Sequence, residues 1–406
     1  MSTASAPNDV SVHDRLAELD SSSPEYATAF VDQLLDAASR IQASDVHLQP
    51  TADGLDVRWR LDGVLQPVGV FPRGDAADVV SRMKVLAELL TYRTDVPQEG
   101  RIRDRRADVE IRVSTFPTLH GERAVVRLFA AQGEYLHLQD LGLPDDISTR
   151  LGELLAETSG AILITGPAGS GKTTTAYACL RELVQASEGG KSIVSLEDPI
   201  ESAVDGVSQS RVNPTAGFDL AAGLRSLMRQ DPEAIMVGEI RDRETAEAAF
   251  QASLTGHLLV TTFHAGSAAG AISRLSDMGI EPYLLRSGIL GILSQRLVRR
   301  LCACREQTAD DAAKLNLPVA QAWRAGGCDA CIGSGYRGRT ILAELLEANP
   351  SELGRAILSR SDAPQLEQLA IEAGMTSIWQ RAKSAVEAGT TSPSEVRRVL
   401  GFAARS

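Results

Sequence analysis

The sequence lacks the features that mark membrane-spanning, secreted or nucleic-acid-binding proteins. No apolar run approaches the roughly 18 residues that a transmembrane helix needs. The start of the chain, MSTASAPNDV, has neither the basic nor the apolar segment of a signal peptide. Basic residues are not in excess, because the formal net charge is −12, and phosphate neutralisation needs clustered Lys and Arg. We therefore expect a cytoplasmic protein with no direct nucleic-acid partner.

Cysteine is scarce, with five in 406 residues, and in the cytoplasm such residues serve as metal ligands or core residues more often than as disulfides. Two pairs, Cys302-x-Cys304 and Cys328-x-x-Cys331, have the composition of a tetrahedral Zn²⁺ site. A filled site of this kind is worth on the order of 10 kcal/mol of local folding energy. The alternative is four reduced cysteines without a metal. Cys179 lies in a helical stretch and is expected in the core.

Hydrophobic patterning changes character near residue 160. Residues 55–61 alternate apolar and polar, and Asp62-Gly63 follows as a hairpin signal. From Ala161 onward, short apolar runs alternate with helical stretches, which indicates parallel strands joined by crossover helices. Ser392-Pro393-Ser394-Glu395 predicts the start of the last helix. The predicted organisation is a mobile tail (1–22), a small α+β module with an antiparallel sheet (23–132), a linker (133–142), an α/β core (143–299), a separate four-cysteine unit (300–340) and a C-terminal helical region (341–406).

A glycine-rich segment with the sequence GPAGSGKT follows the apolar run 161–164 and precedes a helix-compatible stretch. It fits the P-loop pattern G-x-x-x-x-G-K-[ST] in the strand–loop–helix context that this motif needs. Backbone N–H groups of such a loop, with the helix N-terminus, cradle a polyphosphate. Lys172 would reach the β- and γ-phosphates, and Thr173 would hold Mg²⁺. The predicted nucleotide-binding segment is Gly166, Pro167, Ala168, Gly169, Ser170, Gly171, Lys172, Thr173 and Thr174.

Two acidic clusters and two histidines follow the P-loop at the ends of predicted strands. Glu197 and Glu239 each close an apolar run, where an open α/β sheet places its ligands. A nucleotide hydrolase needs a metal-side acid and a group that positions or deprotonates water. Glu239 occupies the Walker-B position. His257 and His264 bracket a further strand, and either could donate to a γ-phosphate, although a lone histidine is more often structural.

Taken together, these motifs resemble those of the GspE/PilB-type secretion ATPases, which power type II secretion and type IV pilus assembly. The resemblance covers roughly residues 24 to 400. It rests on ASDVHLQP (43–50), RWRLDG (58–63), the stretch from Arg112 to Arg127, SLEDPIE (195–201), LRSLMRQDP leading into GEIRD (224–242), and the segment from Thr255 to His264. These segments match, in order, the family's N-terminal module, Asp box, Walker-B segment and His box.

The resemblance implies a RecA-like P-loop ATPase domain behind a small PAS-like module, with ATP and Mg²⁺ as ligands. It implies that Glu197 is the base for the attacking water and that Glu239 supports Mg²⁺ or that water. It also implies that His257 and His264 sense the γ-phosphate. The arginines expected to bring positive charge to the phosphates are Arg112, Arg127, Arg225 and Arg229.

The same resemblance implies a homohexameric motor docked on an inner-membrane platform protein, peripheral to the cytoplasmic face of that membrane. The cysteine unit favours pilus or pseudopilus assembly. The alternatives are a pilus-retraction or conjugation-type traffic ATPase, a nucleotide-gated regulatory scaffold with little turnover, and a nucleic-acid translocase. Two departures stand out: the first cysteine pair is Cys-x-Cys where the family usually has Cys-x-x-Cys, and we expect the chain to lack the larger relatives' further N-terminal domain.

Overall fold

A computed structural model of the chain describes residues 12–74, 78–104, 109–128, 136–308, 310–348 and 351–402. The chain divides into two compact units, Met1–Ala131 and Gln132–Ser406. Both units combine helices with sheets, as the sequence predicts.

The N-terminal unit is an antiparallel sheet packed against helices. Its helices are α1 (Val12–Ala17), α2 (Tyr26–Arg40) and α3 (Val79–Leu86), and its strands are β1 (Asp45–Pro50), β2 (Leu55–Leu61), β3 (Val64–Phe71), β4 (Gln98–Asp104), β5 (Val109–Thr118) and β6 (Gly121–Leu128). In the part of this unit that the structure describes, the strand order is β3-β2-β1-β6-β5-β4. The predicted strand 55–61 coincides with β2, and Asp62 (φ 49°) and Gly63 (φ 83°) turn the chain directly into β3. Positive φ at both turn residues is the signature of the tight hairpin that Asp-Gly favours.

Within the predicted mobile tail at residues 1–22, residues 12–17 form helix α1 instead. Leu16 on this helix is buried in the core of the N-terminal unit, and Val12 and Leu19 pack against the same core. These apolar residues are separated by polar ones at helical spacing, a short pattern that is easily missed in a Ser- and Asp-rich segment. The rest of the predicted tail, residues 1–11, lies outside the described residues.

A buried ion pair joins α3 to the sheet of this unit. Lys84 Nζ lies 2.7 Å from Glu122 Oε2, and its side chain is 0% exposed. The same ammonium donates to the Arg93 carbonyl at 2.7 Å, and Thr115 Oγ1 donates to Glu122 Oε1 at 3.1 Å. Each charge thus has a partner, which is the condition under which a buried pair is tolerated.

Replacing Lys84 by Met should leave Glu122 buried without its counter-charge and cost about 3–5 kcal/mol of stability. Hydrogen exchange of the full chain measures this, because peptides from α3 and β6 should lose protection while peptides from the second unit serve as an internal control. The double variant Lys84→Met/Glu122→Gln should recover much of the loss. Unchanged protection in the single variant would show that the pair contributes nothing.

The second unit is built on a mostly parallel sheet with helices on both faces. Its helices are α4 (Asp145–Leu155), α5 (Lys172–Ser187), α6 (Leu220–Leu227), α7 (Arg243–Leu254), α8 (Ala268–Asp277), α9 (Pro282–Gly288), α10 (Ser351–Leu358), α11 (Ala363–Glu372), α12 (Ile378–Glu387) and α13 (Pro393–Leu400). Its strands are β7 (Gly160–Thr165), β8 (Ile193–Glu197), β9 (Ser208–Arg211), β10 (Ala234–Ile240), β11 (Leu258–Phe263), β12 (Ile289–Leu301), β13 (Glu306–Thr308), β14 (Ala322–Arg324) and β15 (Tyr336–Glu347). Among the described residues, the main sheet has the order β15-β12-β7-β11-β10-β8-β9.

The central strands are buried along their whole length because helices cover both faces of the sheet. Every residue of β7 and of β11 is buried, which explains why these strands appear in the sequence as continuous apolar runs. From β12 to β9, each described strand of this sheet runs parallel to the next. The edge strand β15 runs antiparallel to β12. The described helices include none that is long and apolar enough to cross a bilayer.

The C-terminal half differs from the predicted domain boundaries because β12 and β15 extend the main sheet beyond residue 299. The α/β core was expected to end at residue 299, followed by a separate cysteine unit and then only helices. Instead, β15 returns to pair with β12 over most of its length, so the cysteine segment is an excursion between two strands of the main sheet. Leu317 and Ala322 of this excursion share a core cluster with Val386 of α12 and Val396 of α13. The excursion is therefore packed onto the C-terminal helices.

The predicted linker at 133–142 is also corrected in part. Residues 138–141 form a 3₁₀ turn, and Leu138 and Leu143 are buried in the core of the second unit. Residues 133–135 lie outside the described residues. At the other end of the chain, α13 begins as predicted: Ser392 caps it by accepting from the Glu395 N–H at 3.2 Å, with Pro393 at the first helical position.

Candidate nucleotide-binding site

The glycine-rich segment forms a tight loop between the end of β7 and the start of α5. Gly166, Gly169 and Gly171 all have positive φ, at 151°, 74° and 86°. A side chain at Gly166 would place Cβ 2.5 Å from Ser170 Oγ and 2.6 Å from the Gln295 carbonyl oxygen. The loop therefore requires glycine both for its backbone angles and for its close approach to β12.

Lys172 folds back over this loop. Its ammonium donates to the carbonyl oxygens of Gly166 and Pro167, both at 3.0 Å, and the residue is 9% exposed. Burial lowers the pKa of Lys172, while the Glu239 carboxylate opposes that shift. Thr173 and Thr174 follow in the first turn of α5 and are exposed. The charge is thus held at the mouth of the loop, where a polyphosphate would replace the two carbonyl partners.

A cleft of about 270 Å³ opens at the carboxyl ends of the parallel strands, next to the P-loop. This is the edge at which open α/β sheets bind their ligands. It brings together Lys172 and Thr173 with Glu197, Glu239 and His264, five of the predicted site residues, and Ala168 and Gly169 also line it. Its other lining residues are Ala176, Tyr177, Asp198, Pro199, Glu201, Leu220, Met236, Gly238, Arg241 and Thr262.

Glu197 ends β8 and is 2% exposed. Its Oε2 accepts a short hydrogen bond from the Tyr177 hydroxyl, and its Oε1 accepts from Ser195 Oγ at 2.5 Å and from Gln209 Nε2 at 3.0 Å. Burial and the bond to Glu197 raise the pKa of Tyr177, which keeps the phenol protonated as a donor. Three donors thus fix the orientation of this carboxylate at the cleft wall.

Glu239 lies near the end of β10 and contacts two side chains, one through each carboxylate oxygen. Its Oε1 is 2.7 Å from His264 Nε2, and its Oε2 accepts from Arg241 Nε at 2.6 Å. The bond to Glu239 is the main cause that raises the pKa of Arg241. Arg241 also lies 3.7 Å from Asp198. The Walker-B carboxylate and the histidine after β11 therefore form one connected group beside the P-loop lysine.

Other predicted residues lie away from this group. His257 precedes β11 and His264 follows it, so the six-residue strand separates them by about 20 Å. His257 Nδ1 instead lies 3.0 Å from the Ala252 carbonyl oxygen. The structure therefore does not bring the two histidines together, because opposite ends of a strand lie at opposite edges of the sheet.

Arg225 and Arg229 are exposed at the C-terminal end of α6. Arg229 donates to the Arg225 carbonyl oxygen at 2.9 Å. Among the described residues that line the cleft, α6 contributes Leu220 but neither arginine. Their role at the phosphates stays a prediction.

Arg112 and Arg127 belong to the N-terminal unit, where they face each other across β5 and β6. Arg127 Nε lies 3.1 Å from Asp45 Oδ1 on β1. Because cross-strand partners share a face of the sheet, the two guanidinium groups belong to one face of this unit. Their role in hydrolysis likewise stays a prediction.

The structure adds supporting residues that the sequence did not reveal. The Glu197 carboxylate is held by Tyr177, Ser195 and Gln209. Gln295 on β12 donates to the Ser170 carbonyl of the P-loop. Ser195 had a local signal, since it alternates with Glu197 on the same strand. Tyr177 and Gln295 had none, because their roles depend on contacts made only in the folded chain.

The four predicted metal ligands form a compact cluster, with all sulfur atoms within 4.8 Å of one another. The Cys302–Cys328 and Cys304–Cys331 sulfur pairs are 3.8 Å apart, and the Cys328–Cys331 pair is 3.7 Å apart. Four sulfurs at the roughly 2.3 Å Zn–S distance of a tetrahedral site lie about 3.8 Å apart. The shorter Cys-x-Cys spacing therefore still gives a geometry that fits zinc.

Backbone N–H groups support these sulfur atoms. Gly327 N donates to Cys304 Sγ at 3.3 Å, and Gly335 N donates to Cys331 Sγ at 3.2 Å. Such bonds stabilise thiolates and orient them toward a metal. Cys179 is apart from the cluster and fully buried, and burial raises its pKa to about 12, so it remains a thiol.

The mostly parallel sheet, the P-loop and the two carboxylates of the cleft, Glu197 and Glu239, define a P-loop ATPase. The chain belongs to the type II/IV secretion system protein family, whose model matches residues 20–398. It is 45% identical over 378 residues to the type II secretion system protein E of Pseudomonas aeruginosa, covering 91% of this chain and 74% of that one. It is 42% identical over 372 residues to the type II secretion system protein HxcR of the same organism, covering 91% and 76%.

A pilus-system relative and solved structures extend the comparison. The type IV pilus assembly ATPase PilB of Thermus thermophilus is 38% identical over 390 residues, which cover 93% of this chain but 43% of PilB. The ATPase DotB of Legionella pneumophila matches with a TM-score of 0.66 at 23% identity, over 91% of this chain and 94% of that chain. The pilus retraction motor PilT with bound ADP matches with a TM-score of 0.58 at 24% identity, over 90% and 95%. These two structures show that the fold is shared.

Proposed function

We propose that this ATPase is a motor that couples ATP hydrolysis to assembly of a type IV pilus or a type II secretion pseudopilus at the inner membrane. The proposal rests on the cleft that brings Lys172, Glu197, Glu239 and His264 together at one edge of the sheet, in a chain from a secretion family. The process proposed for the motor is taken from the names of its relatives, a type II secretion system protein E and the type IV pilus assembly ATPase PilB.

The P-loop residues 166–174 would hold the ATP phosphates, with Lys172 moving from its two carbonyl partners to the β- and γ-phosphates. When bound, Mg²⁺ would neutralise the negative charge that develops during phosphoryl transfer. Thr173, exposed at the start of α5, and Glu239, which lines the same cleft, are the residues that would hold it. The P-loop contacts the phosphates and not the nucleobase. The identity of the nucleotide as ATP therefore follows from the family.

Glu197 is proposed as the base for the attacking water. A carboxylate offers about four acceptor positions, and Tyr177, Ser195 and Gln209 use three of them. Oε2, which accepts from Tyr177 alone among the described residues, retains a position for a water molecule. Glu239 would support that water or the metal, and His264, bonded to Glu239, would respond to the γ-phosphate.

The four-cysteine cluster would hold a structural Zn²⁺. The excursion that carries it packs against α12 and α13, so a bound zinc would help fix the C-terminal helices to the ATPase sheet. We further propose that the chain acts as a homohexameric ring on an inner-membrane platform protein, and is thus peripheral to the cytoplasmic face of the membrane. Direct nucleic-acid binding is not part of the proposal. A retraction motor, a traffic ATPase or a low-turnover scaffold would use the same cleft, and no contact in it favours them.

Arg112 and Arg127 provide a quantitative test of the role of the N-terminal unit. If one of them acts as an arginine finger, its replacement by Ala should lower kcat by about 10³-fold or more. Arg58→Ala is a matched control, since Arg58 is an exposed arginine on another strand of the same sheet, bonded to Asp56. Steady-state ATPase assays on the assembled protein decide the matter, and normal turnover in both Arg112→Ala and Arg127→Ala would refute the finger role.

The motor function itself is tested in the host cell. A strain that carries Lys172→Ala in place of the wild-type chain should express normal amounts of protein but assemble no pilus or pseudopilus and export no substrate. Re-expression of the wild-type chain should restore the process. Normal surface assembly in the Lys172→Ala strain would contradict the proposed function.

A further inference from the structure

Strand β12 runs beside β7 and continues past its end, which carries two buried polar residues to the P-loop. Ser294 is the β12 residue in register with Thr165, the last residue of β7. The next two residues, Gln295 and Arg296, are 0% and 8% exposed. A polar side chain in such a position must find hydrogen-bond partners, because burial without them is costly. Both residues find theirs in segments that build the nucleotide site.

Gln295 lies against the start of the P-loop through its backbone and against the end of the loop through its side chain. Its Nε2 donates to the Ser170 carbonyl oxygen at 2.8 Å, and its Oε1 accepts from Thr175 Oγ1 in the first turn of α5 at 3.0 Å. Its backbone carbonyl also occupies the space against which a side chain at Gly166 would clash, at 2.6 Å. One residue thus packs against the start of the loop and hydrogen-bonds both the Ser170 carbonyl, two residues before Lys172, and the helix that follows.

Arg296 connects the same strand to the segment after His264. Its guanidinium donates to the Gly266 carbonyl oxygen at 2.5 Å and to the Gln295 carbonyl oxygen at 2.8 Å. Gly266 is two residues beyond His264, whose ring bonds Glu239. Burial lowers the pKa of Arg296, and the Glu344 carboxylate on β15 opposes that shift.

Glu344 extends this group to the C-terminal helices. It is 1% exposed; its Oε1 accepts from Ala268 N at the start of α8 and its Oε2 from Ile378 N at the start of α12, both at 2.9 Å. One carboxylate therefore caps two helices, where negative charge is favourable. The first of them, α8, begins directly after the loop that carries His264.

From these contacts we infer that Gln295 and Arg296 are positioning residues for ATP hydrolysis: Gln295 holds the P-loop in its phosphate-binding shape, and Arg296 fixes the His264 loop relative to it. Because the two residues are adjacent on one strand, movement of the P-loop on nucleotide binding is transmitted to the His264–Glu239 pair. The two residues act at different stages. Gln295 supports nucleotide binding, and Arg296 supports turnover after binding.

The test separates these stages by measuring equilibrium ATP binding and steady-state hydrolysis on the full chain. Gln295→Ala should weaken ATP binding about tenfold, as expected for loss of two buried hydrogen bonds worth together about 1.4 kcal/mol, with kcat at saturating ATP within about threefold of wild type. Arg296→Lys keeps the charge but loses the planar fork that reaches two carbonyls. It should lower kcat about tenfold with ATP affinity nearly unchanged.

Ser294→Ala is the matched control. Ser294 is buried on the same strand, and its hydroxyl has no hydrogen-bond partner among the described residues, so both parameters should stay at the wild-type values. If Gln295→Ala does not fold, Thr175→Val removes one of the two hydrogen bonds from the other side and should weaken ATP binding about threefold, again with kcat nearly unchanged. Loss of affinity and kcat together in every variant, or wild-type values in both Gln295→Ala and Arg296→Lys, would overturn the inference.

Discussion

Replacing Lys172 by Ala should lower kcat/KM for ATP by at least about 100-fold, the scale of losing one preorganised charge-stabilising group. The lysine is the one cation of the described P-loop, and its ammonium already lies at the mouth of the cleft, 3.0 Å from two loop carbonyls. In the transition state it would stabilise charge on the transferred phosphoryl group, so its loss affects turnover beyond binding. Steady-state hydrolysis by the purified chain measures the effect.

Lys383→Ala is the control for that experiment. Lys383 is an exposed lysine on α12, so its removal changes the net charge equally without touching the cleft. It should hydrolyse ATP at the wild-type rate. Equal activity of Lys172→Ala and Lys383→Ala would mean that the cleft beside the P-loop is not where hydrolysis takes place.

Replacing Cys331 by Ser should abolish stoichiometric zinc binding and unfold the excursion between β12 and β15. The expected free-energy scale is large, since structural zinc sites contribute about 10 kcal/mol or more to folding. The excursion has few buried apolar residues of its own beyond Leu317, Val319 and Ala322. Metal analysis should find about one zinc per wild-type chain, in accord with a single four-sulfur site, and hydrogen exchange should show loss of protection over residues 302–335 in the variant.

Cys179→Ala controls for the loss of a thiol, because Cys179 is buried in α5 and is not part of the cluster. It should keep its zinc. A wild-type protein that folds without metal, or a Cys331→Ser variant that retains it, would contradict the structural role of the cluster.

Local patterns were sufficient to predict the elements whose signals lie in adjacent residues. The strand–P-loop–helix segment, the β2–β3 hairpin at Asp62-Gly63 and the capped start of α13 all fall where the sequence placed them. Each combines a hydrophobic period with a residue type that the local backbone requires, such as glycine at positive φ or Ser before Pro at a helix start.

Strands β12 and β15 were missed for a physical reason. Residues 340–347 of β15 read TILAELLE, which are mainly helix-forming residues, and their extended conformation depends on pairing with β12. Tertiary context overrides propensity in such segments. The segment could not be assigned before its partner strand, which lies on the far side of the cysteine excursion, was known.

In the candidate site, too, some residues could be predicted from local sequence patterns and others depend on contacts between distant segments. Lys172, Glu197, Glu239 and His264 follow strands or lie in a motif, and these positions in the sequence place them at one edge of the sheet, where all four line one cleft. The separation of His257 from them follows from its position before β11 rather than after it. Gln295 was beyond reach of sequence reasoning, since it contacts Thr175 across 120 residues of chain.

Steady-state ATP hydrolysis by the wild-type chain, with Glu197→Gln assayed beside it, shows whether the chain hydrolyses ATP with Glu197 as its base. The substitution keeps the shape of the side chain and removes its basicity. Wild-type protein should turn over ATP, and Glu197→Gln should bind ATP with similar affinity but hydrolyse it at least about 100-fold more slowly, the contribution of a positioned general base. ATP binding without turnover by the wild-type chain, or wild-type turnover by Glu197→Gln, would contradict the account.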